Sequence, residues 1–145
     1  MADPRASVSW KGFEAVNAPV VVDNSTITYS ATATGGSSQV GLAVNFSADA
    51  KVIQLVGDAE FVLGKLISVE SDLRGNVQVK GHMTLPAGSG VASLTLGKKI
   101  IGDLGAASAE GYIREVDTAV AAELGLARGY ALDDATLTAV EIYLP

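Results

Sequence analysis

His82 is the only imidazole in the chain, so any histidine-based relay or metal site must pass through it. A nucleophilic serine would need to sit on a sharp strand-to-helix turn beside it. Gly88-Ser89-Gly90 has the residue types but lacks the Gly-x-Ser-x-Gly spacing. No carboxylate lies close to His82 in sequence, and there are no cysteines, so thiolate metal sites and disulfides are excluded. Gly97-Lys98 is followed by Lys99 and an apolar run rather than by Ser or Thr and a helix, which is not the order of a phosphate loop. Asp58 with Glu60, and Asp133 with Asp134, are close carboxylates in turn-like surroundings, where Asp most often serves the backbone. These residues predict a protein that is not an enzyme, with no catalytic, cofactor or metal site.

The elements available to hold such groups are short and β-like. Residues 26–34 alternate polar and apolar, with Ile27 and Tyr29 on one side. After Gly35-Gly36-Ser37-Ser38, a second alternation sets Val40, Leu42, Val44 and Phe46 on one face. Period two marks strands with one buried face, so the pair reads as a β-hairpin over 26–34 and 39–47. Strand signals recur at 50–56, 66–70, 77–80, 98–102, 111–116, 127–132 and 136–144. The segments 66–70 and 77–80 make a second hairpin around the turn at 71–76. In the last strand, Thr138, Val140, Ile142 and Leu144 share a face. The one helix signal runs from Asp117, in the N-cap position, to Gly125 at the C-terminal end. The fold class expected is therefore all-β with one short helix at most: a small β-barrel or β-sandwich carrying an N-terminal extended arm and hairpin.

Charge is distributed unevenly. Residues 1–50 hold six charged side chains and the remainder twenty, and residues 24–48 hold none. This contrast predicts an arm plus hairpin over 1–50 and a barrel or sandwich domain over 51–145. Trp10 and Phe13, in a segment without clear periodicity, either pack on their own domain or anchor into a neighbouring subunit. With Ile27, Tyr29, Val40 and Leu42 of the uncharged hairpin, they form the candidate interface. The net charge of −6 disfavours nucleic acid as a partner. The N-terminus lacks the apolar core of a signal peptide, and the uncharged run is too polar for a membrane helix, so no membrane partner is expected.

The C-terminal part adds a family pattern. Gly75-Asn-Val-Gln-Val-Lys-Gly81, Leu85-Pro-Ala-Gly88, Gly97-Lys-Lys-Ile-Ile101, Gly111-Tyr-Ile113, Ala127-Arg-Gly-Tyr-Ala-Leu132 and Ala139-Val-Glu-Ile-Tyr-Leu144 follow one another in order. Over roughly residues 60–145 this series resembles the small capsid decoration (cement) proteins of tailed bacteriophages. The resemblance implies a β-barrel or sandwich on the outer surface of an icosahedral head. It also implies a homotrimer, made in the host cytoplasm, that bridges major capsid protein subunits in the virion. The alternative drawn from the residues is a carbohydrate- or cell-surface-binding β-module of a virion, although a single Trp offers little stacking surface for sugars.

Overall fold

A computed structural model describes residues 15–49, 51–89, 94–132 and 139–145. Among the described residues there are nine strands: β1 (Val16–Val22), β2 (Ala43–Phe46), β3 (Val52–Leu55), β4 (Gly64–Val69), β5 (Arg74–Pro86), β6 (Ile100–Asp103), β7 (Tyr112–Glu115), β8 (Tyr130–Ala131) and β9 (Ala139–Leu144). One short helix, α1, spans Ala121–Leu126. The all-β reading holds, and the architecture is a closed five-stranded β-barrel with additional strands.

The barrel runs β1-β3-β2-β4-β5 and closes through β1 against β5. All its neighbours pair antiparallel except β1 and β3, which run parallel through Val21↔Val52 and Val22↔Ile53. Its interior is filled by Val22, Ile27, Val44, Ile53, Leu55, Leu66, Val69 and Val77. Branched aliphatic residues suit the narrow inside of so small a barrel.

The thirteen-residue β5 belongs to two sheets. Arg74–Lys80 pairs with β1, whereas Gly81–Pro86 pairs with β9. Gly81 lies at the changeover with φ +98°, a conformation open to glycine and strained for other residues. Beyond it, β9 carries β8, and β6 pairs with β7. Isolated bridges Ile100↔Arg128 and Ala87↔Ile113 link these strands onward. They surround a second core that includes Met83, Leu85, Leu94, Ile100, Ile113, Val140, Ile142 and Leu144. In β9, Val140, Ile142 and Leu144 face inward as their alternation requires.

Three expectations need correction. The segment 26–34 is not a strand; only Ala43–Phe46 of the expected hairpin is one. Residues 23–42 instead form a loop, with a 3-10 turn at Thr34–Gly36, that bonds to β3 and β4 through Thr26 and Gly41. Asp23 Oδ1 accepts the Ser25 N–H, the Ser30 N–H donates to Gly36 O, and Gly35 and Gly36 are left-handed at φ +73° and +84°. Short hydroxyl side chains compete for backbone partners and favour such turns over a ladder. Second, the division at residue 50 runs across the barrel, because β1 and β2 pair with β3, β4 and β5 from beyond it. Residues 16–22, expected in the arm, are the barrel strand β1. Third, the helix starts later than expected, with Val120 as N-cap, and contains Gly125. Asp117 Oδ1 accepts the Ala119 N–H in the turn before it.

Candidate functional site

The groups with chemical potential are mostly occupied by the fold. His82 lies on β5 opposite Tyr143 and is 5% exposed. Its Nε2 is 3.5 Å from Glu141 Oε2, and its Nδ1 has no hydrogen-bond partner among the described residues. Gln78 is also buried. Its amide donates to the carbonyls of Lys80 and His82, bracing the bend where β5 changes sheets. Asp58 and Glu60 do not face each other as an acid/base pair. Asp58 accepts from Arg114 Nε at 3.1 Å, and Glu60 Oε2 accepts the Gly57 N–H at 2.9 Å. Gly88 is packed against Asp103, where a side chain would collide with the carboxylate. Asp133 and Asp134 lie outside the described residues. Among those described, no three His, Asp or Glu side chains are placed to hold a metal ion.

The four described residues of the expected interface do not converge on one surface. Ile27 is fully buried in the barrel core, so it is an internal plug rather than an interface residue. The loop turns it inward, where its side chain is buried among the other aliphatic residues of the barrel core. Leu42 is half-buried, packs on the barrel core and lies against Gly111, and so is also structural. Val40 is half-buried beside Gly35. Tyr29 alone of these four is exposed, at 40%. Trp10 and Phe13 lie outside the described residues.

The surface that alternation did not reveal is built by residues 118–132. The chain order there is Thr-Ala-Val-Ala-Ala-Glu-Leu-Gly-Leu-Ala-Arg-Gly-Tyr-Ala-Leu. Glu123 is the only buried residue of α1, while Val120, Leu124 and Leu126 are open to solvent. A helix on a protein surface normally buries its apolar stripe and exposes its charges; α1 does the reverse. The cause is Arg114 on β7. Its Nη1 and Nη2 donate to the two Glu123 carboxylate oxygens at 2.9 and 2.8 Å, and Glu123 Oε2 also accepts the Asp117 N–H. These donors hold the Glu123 carboxyl down to about 2, with Arg114 the larger cause. The guanidinium of Arg114 is pushed up in turn. Arg128, the other charge in the segment, also turns inward. It donates to the carbonyls of Leu63 at 2.6 Å, Val79 at 2.7 Å and Pro145 at 3.1 Å, and it lies over the Phe61 ring. Burial lowers its pKa.

Next to this segment, β8 presents Tyr130, and Leu132 follows it, both exposed. Leu96 is exposed as well, and its neighbour Gly97 donates its N–H to Ala131 O. The only sequence sign of this face was the near absence of charge over fifteen residues. Helical propensity alone pointed to a helix without saying which side it would bury.

No protein-family model matches the chain, and no curated protein is significantly similar to it. Among the described residues, no helix is long and apolar enough to cross a membrane.

Proposed function

We propose that the chain is a structural decoration protein of a tailed-bacteriophage head. In this reading homotrimers sit on the outer surface of the capsid in the virion and clamp neighbouring major capsid protein subunits together, without catalysis. The observation that carries the reading is the ordered series of motifs from Gly75 to Leu144, which is similar to that of the cement proteins.

The backbone supports treating that series as more than shared composition. Four of its glycines, Gly81, Gly97, Gly111 and Gly129, have φ of +98°, +79°, +98° and +72°. Other residues rarely adopt such angles, so these motif positions answer to geometry. Apart from Gly75–Lys80, which lies in the barrel half of β5, the motifs fall in and around the elements that surround the second core.

The physical role is consistent with such a molecule. Packaged DNA pushes capsid subunits apart, and a clamp that touches several subunits raises the effective concentration of each contact. Modest interfaces then sum to strong retention. The test is to add purified chain to phage heads that lack it. Co-sedimentation at a saturating ratio, with a higher temperature of head disruption, is expected. Protein that stays in the supernatant, or that leaves head stability unchanged, overturns the proposal.

A further inference from the structure

We propose that residues 1–14 pack back onto their own chain, over the outward face of β5 between Gln78 and His82, with Trp10 and Phe13 as the covering side chains. The proposal goes beyond the reading above, does not rest on it and is tested without phage heads.

Four observations point to this occupant. First, two polar residues are buried where alternation turns them away from both cores. Val77 and Val79 pack in the barrel, and Met83 and Leu85 pack in the second core, so Gln78 and His82 lie on the opposite side of β5. They are nevertheless only 8% and 5% exposed. Second, this burial follows β5. The cross-strand row His82, Tyr143 and Tyr130 goes from buried through half-buried to 43% exposed. Asn17, opposite Gln78 on β1, is exposed as well. The cover therefore lies along one strand rather than over the whole sheet.

Third, His82 lacks a hydrogen-bond donor. With Nε2 directed at Glu141, Nδ1 is left as a buried acceptor that has no partner among the described residues. A covering segment has to bring a donor. Residues 7–11 offer two serine hydroxyls, the indole N–H and backbone N–H groups. Fourth, connectivity delivers this segment to the spot. Val16 lies opposite Lys80, which is about 7 Å of strand from His82. Phe13 has a reach of about 10 Å from Val16, and Trp10 one of about 20 Å. Residues 90–93 and 133–138 carry no aromatic side chain and join the described chain nearer the Pro86 end of β5.

Trp10 and His82 are the only indole and the only imidazole of the chain, so each reports alone. In the full chain, NMR cross-relaxation is expected between the Trp10 or Phe13 ring and side-chain protons of Gln78 or His82. This measurement on the wild type does not depend on how any variant folds. Mixing isotope-labelled with unlabelled chains separates contacts within one chain from contacts between chains; those expected are within one chain. Diethyl pyrocarbonate should modify His82 slowly in the wild type. In the double variant Trp10→Ser with Phe13→Ser the reaction should be faster by about tenfold or more, because two buried aromatic side chains no longer hold the cover in place. Tyr130→Ser, at the exposed end of the row, should leave the rate unchanged. Absence of arm contacts at β5, contacts found only between chains, a double variant that reacts at the wild-type rate, or acceleration by Tyr130→Ser would each overturn the proposal.

Discussion

Arg114 on β7 grips Glu123 of α1 with two parallel hydrogen bonds, Nη1 to Oε2 at 2.9 Å and Nη2 to Oε1 at 2.8 Å. The fork-to-fork geometry is the strongest form of ion pair available to side chains. Here it decides which side of the helix faces the protein. With Glu123 held inward, Leu124 and Leu126 after it are exposed.

The pair gives stability a defined pH dependence. The folded carboxyl of Glu123 titrates near 2, below its ordinary value of 4.5. A carboxyl depressed by folding contributes stability above its unfolded value, and that contribution fades as pH falls toward the folded value. The wild type should therefore lose melting temperature between about pH 4.5 and 2 more steeply than Glu123→Gln. At neutral pH, Glu123→Gln should melt several degrees lower. Thermal unfolding monitored by circular dichroism at a series of pH values checks both; parallel curves for the two proteins would contradict the assignment.

Arg128 ties the two cores together. Its guanidinium reaches Leu63 O and Val79 O on the barrel side and Pro145 O beyond β9, and its own backbone N–H donates to Ile100 O. Arg128→Ala leaves these carbonyls short of donors and should cost about 2–3 kcal/mol in urea unfolding. Arg128→Lys should recover only part of this, because an ammonium does not reproduce the planar fork. Full recovery by lysine would mean that charge alone matters there.

Sharing β5 between two cores predicts one cooperative transition. Leu66→Ala in the barrel and Leu85→Ala in the second core remove fully buried side chains. Each should cost about 2–5 kcal/mol. Because a single strand carries both sheets, fluorescence and circular dichroism should report the same midpoint in both variants. Separate transitions, with only one shifted by each substitution, would show that the lobes unfold independently.

Glycine positions allow a paired comparison. A Cβ at Gly64 would stand 2.1 Å from Gln78 O, a backbone atom that cannot move without parting β4 from β5. Gly64→Ala should therefore prevent stable folding or lower the melting point severely. Gly125, inside α1, has nothing within 4 Å of its Cβ position. Gly125→Ala should stabilise by up to about 1 kcal/mol through helix propensity. Equal effects from the two changes would be inconsistent with the packing of β4 on β5.

The sequence by itself determined the class of fold and much of its strand inventory. Period-two runs such as Val140, Ile142 and Leu144 report burial directly, because a strand turns alternate side chains to opposite faces. The hairpin of β4 and β5 was legible for the same reason. Only the tertiary structure decided the rest. Residues 26–34 alternate as well as any strand, yet Thr26 Oγ1 accepts the Leu55 N–H and Thr28 reaches Gln39, left-handed Gly35 and Gly36 turn the chain, and Ile27 packs into the barrel core. The closure of β1 on both β3 and β5 was equally hidden, since pairing between distant segments leaves no local mark. The inverted helix face depends on Arg114, nine residues before Glu123 and on another element. Local pattern tells how a segment prefers to bury itself; which neighbour arrives to satisfy a charge or a sheet edge is settled by contacts across the whole chain.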